Sequence, residues 1–159
     1  MIKIPDNTKS LLDAQHVSVV SSINAGGTIH TSAKGIMETH SKGKILLLDL
    51  YKGVTYKNIK RHPHVTLTVI DEKRFKGYSI RGKAKIIKEN ALPKSKVTMW
   101  QEKLAKRIAR RVISHVKEEI PGNEGIPEAR FPFPKYIIEI SVERIIDLTP
   151  HKLKQGKRR

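Results

Sequence analysis

From residue 17 to residue 89 the apolar positions either alternate with polar ones or form runs too short for a helix, so this stretch predicts strands. Val17, Val19 and Val20 open the first, after the polar Asp13-Ala14-Gln15-His16. Asn24-Ala25-Gly26-Gly27 supplies turn chemistry, because glycine takes positive φ without strain. A second strand, rich in Thr and Ile, spans about Thr28 to Met37, and Ser41-Lys42-Gly43-Lys44 makes the next turn. Ile45-Leu46-Leu47-Leu48-Asp49-Leu50 is an almost unbroken apolar run, the pattern of a strand covered on both faces. A short helix follows from Thr55 to Arg61, with Thr55 or its neighbour as cap and Pro63 as the stop. Val65–Ile70 alternates cleanly, Asp71–Gly77 is a charged connector, and Tyr78–Ile87 alternates again. Gly82, inside that last strand, marks a bulge or a close backbone approach.

The period then changes. Val97, Trp100, Leu104, Ile108, Val112 and Val116 recur at three and four, one stripe of a helix from Pro93 to about Glu119 that Pro121 and Gly122 end. Residues 121–135 hold four of the eight prolines and read as an irregular loop. Tyr136–Glu143, extended by Ile145 and Ile146, is a last strand. The segment 151–159 carries five basic residues and no acid, the composition of a disordered tail. Short turns between strands favour hairpins over parallel crossovers. The economical fold is therefore mainly β (α+β): a small antiparallel barrel with one covering helix. It forms a single domain over 1–150, with the helical insertion at about 93–120.

Composition narrows the chemistry. The 159 residues contain no cysteine, which excludes disulfides, thiolate metal sites and a cysteine nucleophile. Lys and Arg number 32 against 15 Asp and Glu, a formal net charge of +17, so anionic ligands or partners are expected. No apolar run reaches the length of a membrane helix, and residues 1–6 lack the apolar stretch of a signal peptide, so the expected compartment is the cytoplasm. The seven histidines show no metal-ligand spacing, and neither a nucleophile elbow nor a Walker loop is present. No metal site is expected.

The strongest constellation lies between residues 24 and 82. Lys52, Gly53, Val54, Thr55, Lys57 and Asn58 combine a glycine, a hydroxyl and two lysines at a helix start, where free N–H groups and the positive dipole end suit a phosphate monoester. The adjacent run Ile45–Leu50 can form a wall for a planar ring. Three pieces in order then carry a resemblance. Asn24-Ala25-Gly26-Gly27-Thr28-Ile29-His30, Lys57-Asn58-Ile59-Lys60-Arg61-His62-Pro63-His64-Val65-Thr66-Leu67 and Arg81-Gly82-Lys83-Ala84 together resemble the FMN-binding split-barrel superfamily, which includes pyridoxamine 5'-phosphate oxidase. The likeness covers about residues 12–89.

That resemblance implies a six-stranded antiparallel split barrel, with the helical insertion before the last strand, acting as a homodimer with its cofactor at the subunit interface. It implies FMN as cofactor, with a deazaflavin coenzyme as the alternative, and a flavin-dependent oxidoreductase as the activity. Ser32, Ala33, Lys34 and Gly35 would line the flavin ring and ribityl chain, joined by Leu48 and Asp49. Gly53, Val54 and Thr55 would hold the phosphate, with Lys57 and Asn58 close by. Ser32 and Thr55 stand where the family often has Arg or Lys, so Lys34, Lys52 or Lys57 must supply the charge. Lys34 is the candidate to stabilise a reduced, anionic ring. The substrate-binding arginine motif of true pyridoxamine phosphate oxidases is not evident, and no residue is singled out as a general acid or base.

A second class of function competes. Residues 94–117 hold eight Lys/Arg and one acid, and with the tail they could follow a nucleic-acid backbone. Aromatic platforms for single strands are nearly missing, since Phe, Trp and Tyr make up 5% of the chain. An anionic membrane surface is a weaker reading, because the apolar stripe is needed against the barrel.

Overall fold

Six strands and four helices make up the computed structural model, which describes residues 1–159 apart from 89–90, 92, 118–129, 133, 135 and 156–159. In chain order they are α1 (Asp6–Ala14), β1 (Val17–Ile23), β2 (Ile29–His40), β3 (Lys44–Leu48), α2 (Val54–Arg61), β4 (His64–Asp71), β5 (Lys76–Lys88), α3 (Lys94–Lys117), β6 (Tyr136–Asp147) and α4 (His151–Gln155). The strands close into an antiparallel barrel in the order β1-β2-β3-β6-β5-β4. The fold is the expected mainly-β barrel, with six antiparallel strands and the long basic helix between the fifth and the sixth.

Alternation dictates the two apolar layers. On β3, Ile45 and Leu47 point into the barrel with Val20, Leu67, Ile80, Ile138 and Ile140, all buried. Leu46 and Leu48 point outward and meet Met37, Ile137 and Trp100 under α3. Both faces of β3 are therefore covered, which is why its sequence reads as an unbroken apolar run.

Two register shifts shape the walls. Gly82 sits where β5 and β6 lose register between Arg81 and Gly82, as a glycine in mid-strand predicted. The other shift, between Ile36 and Glu38, lies in β2, which continues through it to His40. Met37 faces the outer cluster while Ile36 faces the barrel. The ammonium of Lys103 on α3 donates to the Met37 carbonyl, so the bulge also fastens the helix. At the β1–β2 hairpin Gly27 takes φ +80°, and the Gly27 amide donates to the Asn24 carbonyl, as the turn chemistry required.

Three elements differ from the sequence-based expectation. Helix α1 was not expected: Leu11 and Leu12 are adjacent rather than spaced as a stripe, yet with Ile4 they are buried in the barrel core. The cap of α2 is Gly53 and not Thr55, which is the second residue of the helix and is buried. Residues 151–155, expected to be disordered, form α4. The predicted loop at 121–135 and the helix stop at Pro121 lie largely outside the described residues. No helix among the described residues is long and apolar enough to cross a membrane.

Candidate functional site

A cavity of about 540 Å³ opens between the outer wall of the barrel and α3, a size usual for small-molecule sites. The barrel contributes Ala33, Lys34 and Gly35 from β2 and Leu48 and Asp49 from the end of β3, five of the residues expected from sequence. These two segments are neighbours because Gly35 pairs with Leu48 in the β2–β3 ladder. Leu50 and Tyr51 continue the floor, His16 closes one end, and α3 forms the opposite wall.

At the cavity floor, Lys34 is not the free cation that the sequence offered. Its ammonium is 2.7 Å from the Asp49 carboxylate, and both side chains are largely buried. The second Asp49 oxygen accepts a hydrogen bond from the Tyr136 phenol at 2.5 Å, and that phenol also lies 3.1 Å from the Tyr51 carbonyl. Burial, together with the bonded and charged Asp49, pushes the Tyr136 hydroxyl far above its ordinary range, so it remains a proton donor at any working pH. The Tyr136 ring packs edge-on against Tyr56 of α2, with centroids 4.9 Å apart. The charge on Lys34 is thus largely cancelled by its own neighbour.

The residues at the start of α2 divide into two sets. Lys52, Gly53, Val54 and Lys57 are exposed, and no side chain caps the first-turn N–H groups. The Lys52 ammonium stands 5.1 Å from the centre of the Tyr56 ring. Thr55 and Asn58 turn inward. The Thr55 hydroxyl is 2.8 Å from that of Ser32, which ties α2 to β2. One O–H of this pair donates to the other, and the second keeps a proton free to donate. The Asn58 amide donates to Ser22 and to Asn24, each at 3.0 Å, and its oxygen accepts from Arg61. Asn58 therefore locks the β1–β2 hairpin to α2 and is buried away from the surface of the loop.

Sequence reasoning did not include His16, Tyr51, Trp100, Tyr136 or the α3 cations in the site. Trp100 and Leu104 were visible as a stripe, but nothing local shows that their helix roofs the end of β3. The Nε2 of His16 lies 3.2 Å from Arg110, and Arg107 donates to the His16 carbonyl at 3.1 Å. A guanidinium only donates, so Nε2 is the acceptor and the proton of the neutral ring sits on Nδ1. Burial first, then Arg107, Arg110 and Lys103, lower the affinity of this imidazole for a second proton. Among the described residues no three His, Asp or Glu side chains converge as a metal ion would need.

A family model described as Pyridoxamine 5'-phosphate oxidase matches residues 4–148. No curated protein matches the chain. Solved structures do. HupZ of Group A Streptococcus is 22% identical, covers 92% of this chain and 94% of its own, and superposes with a TM-score of 0.66. An F420 reductase is 18% identical over 90% of this chain and 98% of its own, with a TM-score of 0.56. An FMN-binding protein from Syntrophomonas wolfei subsp. wolfei is 14% identical over 89% and 84%, with a TM-score of 0.54. At these identities the likeness is one of fold.

Proposed function

We propose, from the premise that the chain belongs to the pyridoxamine 5'-phosphate oxidase family, that it binds FMN and works as a flavin-dependent oxidoreductase. The observation that carries the reading is the convergence of Ala33, Lys34, Gly35, Leu48 and Asp49 on one cavity. The residues present fit the cofactor. The floor beside Leu48 and Leu50 suits a flat ring, and the uncapped start of α2, with Lys52 and Lys57 exposed beside it, suits the phosphate. The Ser32–Thr55 hydroxyl pair, which joins β2 to α2, has one proton to donate to the chain of the cofactor. A bound flavin supplies the redox chemistry itself. The protein's part is to orient the ring against β2 and β3 and to keep water from it with α3. Because Asp49 offsets Lys34, the floor presents hydrogen bonding with little net charge. A deazaflavin coenzyme is the alternative occupant, since its phosphate-bearing chain suits the same helix start. The fold shared with an F420 reductase favours keeping it in the test.

The purified protein should take up FMN and show flavin absorbance, with flavin fluorescence on denaturation. Lys57→Ala should weaken FMN binding about tenfold, the scale of one charge-assisted hydrogen bond. Thr55→Ala should weaken it too, and both variants should unfold cooperatively like the parent. A colourless protein that binds neither FMN nor a deazaflavin would sink the proposal.

The outer face of the β1–β2 hairpin supports the homodimer. Val17, Val19, Ile23 and Ile29 are exposed there, Ile29 at 75%, and Val54 of α2 is exposed as well. A patch of this kind marks an interaction surface, and a second copy would cover it while completing the cofactor site. Sedimentation should give twice the mass of one chain, and Val19→Lys should give the monomer. A parent protein that sediments as a monomer at micromolar concentration would contradict the assignment.

A further inference from the structure

We propose that the α3 wall of the cavity is an anion subsite, which takes a small amphiphilic compound whose apolar body lies against Trp100 and Leu104, leaving the floor at Leu48 and Leu50 to the flavin ring, and whose carboxylate or phosphate groups meet Arg107 and Arg110. The inference deepens the functional reading above by naming the chemical class that meets α3. It rests on that reading only in treating the cavity as a ligand site.

Four cations line the cavity from one helix face: Lys103, Lys106, Arg107 and Arg110 recur at three and four, beneath the one turn that carries Trp100 and Leu104. Three of the four donate to neutral groups. Lys103 donates to the Met37 carbonyl, Arg107 to the His16 carbonyl and Arg110 to the His16 imidazole. The two acids that line the cavity are already engaged: Asp49 pairs with Lys34 and Tyr136, and Asp13 with Lys9. Among the described residues, the α3 wall therefore faces a floor of leucines and the self-paired Lys34 and Asp49, with no lining acid left to offset its positive charge. His16 reports the same field, since after burial the three nearest cations are what disfavour its protonated form. Two guanidiniums three residues apart present forked donors that match carboxylate or phosphate oxygens. The surface is a concavity of about 540 Å³ with an indole in its wall, which suits a compact ligand more than the extended backbone of a nucleic acid.

Trp100 is the single tryptophan and lines the cavity, so its emission reads occupancy directly. The cofactor-free protein is titrated with anilinonaphthalene sulfonate, a fused-ring anion, and the dye is then displaced with pyrophosphate or with citrate. Quenching of Trp100 and displacement by either anion are expected. Pyrophosphate acting alone assigns a phosphate group to the natural ligand, and citrate acting alone assigns carboxylates. Arg107→Gln/Arg110→Gln should bind the dye about tenfold more weakly, and Arg107→Lys/Arg110→Lys should recover part of the loss. Lys85→Gln/Lys88→Gln, which removes two exposed cations of β5, should bind like the parent. Equal dye binding by the glutamine pair and the parent would overturn the proposal, as would an equal loss in the β5 pair, which would signal diffuse charge. Displacement only by a mixed-sequence oligonucleotide would replace it with nucleic-acid binding. FMN uptake is followed by its own absorbance, so failure of the flavin reading is visible separately from failure of this one.

Discussion

Asp49→Asn should lower the free energy of unfolding by about 3–5 kcal/mol, the largest loss expected from any single change in the site. The reason is what the substitution leaves behind. Lys34 and Asp49 are both largely buried, with their charged atoms 2.7 Å apart. Taking the charge from Asp49 strands an ammonium in a wall whose other groups cannot neutralise it. It also removes the strong acceptor of the Tyr136 phenol, a group that burial and Asp49 keep protonated. Replacing both members of the pair by apolar residues of similar size, Lys34→Met with Asp49→Leu, should recover most of the loss, because the desolvation cost disappears with the charges. Urea unfolding of the two single variants and the pair forms a closed cycle. A double variant as unstable as Asp49→Asn would show that the carboxylate stabilises the wall by something other than matching Lys34.

Gly82→Ala comes second, with an expected cost of about 3 kcal/mol. A Cβ at this position would stand 2.2 Å from the Ser141 carbonyl oxygen and 3.0 Å from Cγ2 of Ile140. The first of these is backbone on the neighbouring strand β6, which cannot swing aside as a side-chain tip can. It lies at the register shift between β5 and β6, so relief would have to come from the ladder itself. In a chain of this length that cost lowers the melting temperature by roughly 6–12 °C. Gly35→Ala is the internal control: its nearest neighbour would be Leu48 Cβ at 3.6 Å, an ordinary contact. Thermal unfolding that leaves Gly82→Ala within a degree or two of the parent would show that the strands separate there at little cost.

The barrel was legible because its strands obey local rules. The run Ile45–Leu48 is apolar throughout since one face meets the interior and the other meets α3, and the alternation in Val65–Ile70 belongs to a strand with one half-exposed face. What the sequence concealed depends on contacts between distant segments. The end of β2 was lost at Met37 because a bulge breaks the period, although the strand goes on to His40. Helix α1 is short and has adjacent rather than spaced leucines, so only the barrel mouth that receives them gives it a reason to form. The site shows the same division. Ala33–Gly35 and Leu48–Asp49 are named through the family resemblance, and the β2–β3 ladder sets them side by side. The pairing of Lys34 with Asp49 is a fact of side-chain reach across that ladder. The approach of α3 and the closure by Tyr136 are facts of the whole chain, since Tyr136 stands 87 positions after Asp49.

Among the described side chains, helix α3 meets the barrel most closely around Trp100. Trp100 is buried and Leu104 half-buried, and Lys103, Arg107 and Arg110 tie the helix to Met37 and His16, whereas Val112 and Ile113 are 42% and 55% exposed. One continuous helix therefore joins two regimes of stability. Its amide protons should exchange with solvent more slowly around Trp100 than around the exposed Val112 and Ile113. Whatever occupies the cavity would extend the slow zone outward along the same helix.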